Sequence, residues 1–287
     1  MNIQWFPGHM TKTLKQIKEN VKLVDFAIEL LDARIPYSSN NPELKRLIPA
    51  TKRIVALNKS DLAHPGITSS WIEHFGRQSI PAVAVDSLSG SGVRDLLMQL
   101  EAKGEDIREK WRRRGRRNRP IRVMIVGIPN VGKSSLINRI VGKASAKTGD
   151  RPGVTRGKQW IKVTKHIDLL DTPGVLWPRF EEKNVGINLA LTGAIKSEIL
   201  SSEKLALNLI ERLLGADPGL LKRGYGIPGL KDTTYGVLEQ VGKKRGCLMK
   251  GGRVDTLRAS GVLLDDFRAG RLGRISLEMP PANPEQE

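Results

Sequence analysis

The chain has 287 residues, with 48 Lys and Arg against 30 Asp and Glu and a formal net charge of +18. That length allows roughly two domains with a substantial core, and 39% hydrophobic with 27% charged residues excludes a wholly disordered polymer. One cysteine, Cys247, excludes an internal disulfide and a thiolate-cluster zinc site.

The same cysteine usage points to a reducing compartment, the cytoplasm. Met1–Met10 carries no secretion-signal core, and no apolar run is long enough for a spanning helix. The positive surplus favours a polyanionic partner, nucleic acid before membrane, with a merely solvated basic surface as the alternative.

In chain order, Thr11–Lys22 has helical spacing of Leu14, Ile17 and Val21, with Lys12, Lys15, Lys18 and Lys22 opposite, by default a solvated face. DFAIELLDA, RIVALN and PAVAVD then read as strands. Between Arg108 and Arg122 lie nine basic residues, one acid and Trp111, a density that favours phosphate contact. IRVMIVG, QWIKV and HIDLLD are further strands, with a helix opening near Lys133. Strands alternating with helices predict an α/β fold, a doubly wound, mostly parallel sheet, over residues 1–184. From Val185 the strand signals fade. Ala206, Leu209, Ile210, Leu213 and Leu214 form a helical stripe, and Val254, Leu257, Val262 and Phe267 suit another, so 185–287 is predicted to be a small all-α domain. It carries a second basic patch at Lys243, Lys244, Arg245, Lys250 and Arg253. Few aromatic residues disfavour a base-stacking platform, so phosphate contact and RNA shape are the expected mode.

The strand IRVMIV runs into Gly127-Ile-Pro-Asn130-Val131-Gly132-Lys133-Ser134 and then SLINRIV, the GxxxxGK[ST] pattern between strand and helix. Glycines let backbone N–H groups curl around phosphates, and a helix N-terminus favours their charge. Lys133 would reach the β- and γ-phosphates and the Ser134 hydroxyl would ligate Mg²⁺, with Ser135 next in the loop. Of two DxxG matches, Asp171–Gly174 ends an apolar strand whereas Asp150–Gly153 sits in a polar loop. Asp171 is therefore the candidate Mg²⁺-coupled acid and the Gly174 N–H the γ-phosphate contact. Thr155 is placed where a switch threonine would complete the Mg²⁺ shell, though alone it could be an ordinary loop residue.

Asn58-Lys59-Ser60-Asp61 after RIVAL is an NKxD element. Its aspartate can accept from the ring N–H and exocyclic amine of guanine together, a pairing adenine cannot offer. Ser87-Leu88-Ser89-Gly90 after PAVAVD fits the supporting loop at the guanine carbonyl. These base-reading loops precede the phosphate loop, the reverse of an ordinary GTPase. A circularly permuted sheet accounts for this, with the basic segment 104–120 containing the new connection.

Together with IQWFPGHM, DARIP at Asp32–Pro36, TGDRPGVT, LLDTPGVLWP and KKRGCLMKGGR, these motifs resemble the YlqF/YawG group of circularly permuted GTPases over nearly the whole chain. The resemblance implies GTP hydrolysis by an assembly factor of the large ribosomal subunit, a C-terminal helical RNA-binding domain, Mg²⁺, and a potassium ion at Asn130. The residue after Gly174 is Val175 rather than a water-orienting glutamine. The resemblance makes His9 the substitute; capping the helix or binding an RNA phosphate is the alternative for that histidine. An RNA-binding scaffold with GTP as a structural ligand is the rival to a true hydrolase. Asp32 and Arg34 read as an ion pair at a strand end, and Cys247 as a packing residue.

Overall fold

Phe26–Asp32 (β1), Arg53–Asn58 (β2), Ala82–Ala84 (β3), Ile121–Gly127 (β4), Trp160–Thr164 (β5) and Ile167–Leu170 (β6) form one sheet in the order β3-β2-β1-β4-β6-β5. The computed structural model describes residues 10–116, 119–142, 160–170, 182–195 and 201–281. All neighbours pair in parallel except the edge strand β5, which runs antiparallel to β6. β1 and β2 are buried at every position. That is why they read as mainly apolar runs, since helices cover both faces; Glu29 within β1 and Arg53 at the start of β2 pair with each other at 3.2 Å. The helices are Met10–Val21 (α1), Pro36–Ser39 (α2), Pro42–Leu47 (α3), Pro65–Arg77 (α4), Val93–Arg113 (α5), Lys133–Val141 (α6), Lys183–Leu191 (α7), Ser202–Ala216 (α8), Gly219–Tyr225 (α9), Thr234–Lys244 (α10) and Thr256–Arg268 (α11).

Alternation along β1 divides the core. Ala27 faces α1 and α3 with Ile17, Leu44, Met124 and Val126, whereas Phe26, Ile28 and Leu30 face the opposite layer. That second layer continues without interruption into Leu209, Leu213, Leu263 and Phe267 of the C-terminal helices. α7 makes the join, because every residue from Val185 to Leu191 is buried. The α/β and helical parts thus share one apolar cluster across position 184.

Two details refine the sequence reading. Leu257 is 63% exposed, and the buried face of α11 is instead Ala259, Leu263, Leu264 and Phe267. The second half of the long helix α5 takes up much of segment 104–120, leaving 114–120 between helix and β4. Gly104 is needed there because a Cβ would meet Ile121 Cγ1 at 2.7 Å. The arginine run is also partly committed to structure. Arg108 and Arg112 pair with Glu105, Arg113 with Glu109, and Arg119 grips Asp25 through both terminal nitrogens at 2.8 and 3.0 Å. Arg119 also lies over the Trp111 ring at 4.5 Å. Lys110, Arg114 and Arg116 remain exposed.

In the helical part, Asp266 is 1% exposed and accepts from Tyr225 Oη at 2.9 Å, Arg245 Nη2 at 2.5 Å and Arg271 Nε at 2.5 Å. Asp266→Ala strands the buried Tyr225 hydroxyl and removes the acceptor of two cations. It should cost about 2–4 kcal/mol of unfolding free energy, read by urea titration without nucleotide. A loss under about 0.5 kcal/mol would refute this account.

Candidate nucleotide site

The C-terminal ends of β1, β2, β3 and β4 meet where the chain's connections run to opposite sides of the sheet, the crevice in which open α/β sheets bind ligands. A cavity of about 330 Å³ opens there, within the range of nucleotide-sized sites. Its walls bring together the predicted Asn58, Lys59, Asp61, Ser87, Leu88, Asn130, Gly132 and Ser135. Loops separated by some 70 residues in the chain therefore form one site, as the permuted sheet requires.

Asn58 ties the loops together. It is 2% exposed; its Nδ2 donates to Val131 O at 2.7 Å, and its Oδ1 accepts from Ser87 N at 3.0 Å and Ser87 Oγ at 2.7 Å. One amide thus joins the ends of β2 and β3 to the phosphate loop. Gly132, at φ +102°, caps α6, and a Cβ there would lie 2.3 Å from Asn58 Nδ2. Asn130 at φ +57° turns the loop, and its Nδ2 donates to Gly193 O at 2.9 Å. Lys133 Nζ donates to Gly127 O and Ile128 O at 3.2 and 2.6 Å, so the ammonium lies within the loop's curve. Ser134 is exposed in the first turn of α6. Leu88 is 74% exposed at the cavity wall, its N–H bound to Asp86 Oδ1 at 2.8 Å.

Lys59, held at φ +59°, bridges from the NKSD loop to both partners beside it: Nζ is 3.0 Å from Asp32 Oδ2 and 2.9 Å from Asn130 O. Asp32 is in turn gripped by Arg34, Nε to Oδ1 at 2.9 Å and Nη2 to Oδ2 at 2.8 Å, both residues being almost wholly buried. Burial opposes the charge, but Arg34 and Lys59 together hold the Asp32 carboxyl far below the ordinary carboxylate range. Asp61 is shifted the other way, first by partial burial and then by neighbouring Asp86, against the pull of Arg34 and Arg274.

Sequence reasoning missed the far wall. After α11 the chain returns as an irregular strap across the NKSD loop. Arg274 donates to Ser60 O at 2.8 Å and Ala63 O at 3.0 Å, Ile275 N to Leu62 O at 2.8 Å, and Leu277 N to Arg34 O at 2.8 Å. Thr192 and Arg268 also line the cavity. The usable signal was Asp32-Ala-Arg34, an ion pair closing a strand otherwise apolar but for Glu29. The strap has no periodicity to betray it. His9, Thr155, Asp171, Gly174 and Val175 lie outside the described residues, and among the described residues no cluster of His, Cys, Asp and Glu could hold a metal by itself.

Residues 122–218 match the family described as "50S ribosome-binding GTPase". The chain is 44% identical over 280 residues to Ribosome biogenesis GTPase A of Bacillus licheniformis, spanning 98% of this chain and 99% of that protein. It is 30% identical over 278 residues to the Thermotoga maritima protein of the same name, spanning 97% and 95%. The crystal structure of GNP-bound YlqF from T. maritima superposes with a TM-score of 0.65 at 27% identity, over 94% of this chain and 98% of that one.

Proposed function

The chain belongs to the ribosome biogenesis GTPase A (YlqF) family, and on that premise we propose that this GTPase acts as an assembly factor of the large ribosomal subunit, binding rRNA in a nucleotide-dependent way. The observation that supports this most is the Asn58 junction, which holds the NKSD loop, the Ser87 loop and the phosphate loop around one cavity. In this reading Asp61 accepts from guanine while Lys59, Ser87 and Leu88 shape the base pocket. Backbone N–H groups from Asn130 to Ser135 take the phosphates, and Lys133 neutralises them.

GTPases of this family generally use Mg²⁺. The residues fit such an ion: Ser134 offers a hard, exposed hydroxyl at the first turn of α6, and Mg²⁺ in phosphate sites takes few protein ligands beside phosphate oxygens and water. We assign Ser134, Thr155 and Asp171 to that role. The Gly193 bond fixes the amide nitrogen of Asn130 and leaves Oδ1 as the half suited to potassium. Gly174 takes the γ-phosphate contact. His9 orients the water that Val175 cannot.

Among the described residues no helix is long and apolar enough to cross a membrane. The proposed role in ribosome assembly places the factor in the cytoplasm. For rRNA, the exposed cations of the predicted basic regions include Lys15 and Lys18 on α1 with Lys22 just after it, Lys110 on α5 with Arg114 and Arg116 after it, and Lys243, Lys244, Lys250 and Arg253 around the turn beyond α10. Arg245 is taken by Asp266.

The test is single-turnover GTP hydrolysis with and without large ribosomal subunits, beside co-sedimentation across a salt series with a GTP analogue, GDP or no nucleotide. Subunits should accelerate hydrolysis, and His9→Ala should lower kcat by about 10²-fold with GTP affinity unchanged. Binding should be tightest with the analogue and weaken steeply with salt, because each neutralised phosphate releases counterions. Equal, salt-insensitive binding in all three states would remove the rRNA switch from this account.

A further inference from the structure

The geometry points to residues 267–277 as a positioning element of guanine recognition, acting on Asp61 through Arg274 and on Lys59 through the buried Arg34–Asp32 pair. This rests on the assignment of Asn58–Asp61 as the guanine-reading loop. Asp61 itself is held from both flanks. The Arg274 guanidinium grips Ser60 O before it and Ala63 O after it, and Ile275 N takes Leu62 O. His64 N adds a bond to Ser276 Oγ at 3.1 Å, so four of the five residues from Ser60 to His64, all but Asp61, are tied to the strap. A carboxylate that must meet two donors side by side has little tolerance for rotation of its own backbone, and the strap removes that rotation.

The second arm runs through the core. Arg34 is 1% exposed, sits 5.4 Å from the Phe267 ring centroid, and directs Nη1 toward Arg268 O at 3.4 Å. Its own carbonyl accepts from Leu277 N. From the same guanidinium the bidentate contact fixes Asp32, whose Oδ2 also holds Lys59 against Asn130 O. A packing role alone would need only charge neutralisation of Asp32. Here the carboxylate is shared between Arg34 and a lysine of the NKSD loop, and its partner is anchored on the C-terminal helix and strap. Both routes end on the same short loop. The helical part is therefore a wall of the base pocket as well as a neighbour of it.

The experiment compares binding of GDP and inosine diphosphate, which lacks the exocyclic amine that Asp61 would accept, by the parent, Arg274→Met, Arg34→Lys and Asp61→Asn. Unfolding temperatures without nucleotide are measured alongside. Arg274 is exposed, so Arg274→Met should fold even if Arg34→Lys does not. It should weaken GDP about tenfold and the inosine nucleotide much less, so that the GDP preference falls several-fold. Equal weakening of both nucleotides, or none, would overturn the inference, because a structural lesion cannot sense one amine. Asp61→Asn separates the two failures. If it too leaves the GDP preference intact, the loop assignment is wrong; if it abolishes the preference while Arg274→Met does not, only the positioning role falls.

Discussion

Asp61→Asn is expected to weaken GTP by about 10³–10⁴-fold and to make xanthosine triphosphate the preferred nucleotide, measured by competition against a fluorescent analogue. The magnitude follows from pairing. Guanine presents two donors edge-on, and a carboxylate accepts both. An amide matches one and sets its own NH₂ against the other, so a buried donor pair faces a donor. Xanthine carries a carbonyl where guanine carries the amine, which restores the match. The backbone of the substituted residue should not move, because Ser60 O, Leu62 O and Ala63 O stay fastened to Arg274 and Ile275. The effect should therefore appear in base choice and leave unfolding temperature nearly unchanged. Undiminished GTP selectivity would take Asn58–Asp61 out of the site.

The second large effect concerns a single methyl group. Gly132→Ala should weaken GDP by a hundredfold or more while the protein remains folded. At φ +102° an L-residue is strained by about 1–3 kcal/mol, and the new Cβ would sit 2.3 Å from Asn58 Nδ2. Either the phosphate loop shifts or Asn58 releases Val131 O, leaving a buried amide unpaired at about 1–3 kcal/mol. Both responses separate the base loop from the phosphate loop. Gly76→Ala is the control. Nothing lies within 4 Å of its Cβ and it sits within α4, so binding should not change and stability should rise by up to about 1 kcal/mol. Isothermal titration with GDP distinguishes these outcomes; parent-like affinity in Gly132→Ala would refute the close approach.

Much of this site was legible because its residues carry chemistry at fixed spacing. GxxxxGKS needs its glycines and lysine, NKSD needs its carboxylate, and their reversed order already demanded a permuted sheet. The strands were readable for a different reason: burial on both faces writes short apolar stretches such as IVAL and VMIV into the chain. What stayed hidden depends on tertiary pairing. Arg119 looks like one more cation in a basic run until Asp25 is found opposite it. Leu257 has the spacing of a core position, yet the helix is rotated so that Ala259 and Leu263 face inward. Arg271–Met279 has neither period nor motif, since its contacts are backbone groups and single, scattered side chains (Arg271, Arg274, Ser276, Glu278), each meeting a different part of the chain. Composition leaves no mark of such contacts.

The strap also bears on how the protein is made. The contact between Arg274 and Ser60 spans 214 residues, and that between Trp71 and Glu278 spans 207. At about 5–20 residues per second, the NKSD segment is synthesised some ten to forty seconds before the residues that close over it. A nascent chain therefore displays an unfinished base pocket until those residues have followed. Closure of so long a loop is a slow, late event in folding. Selective guanine binding should accordingly arise only after residues 267–277 have been synthesised and have closed over the NKSD loop.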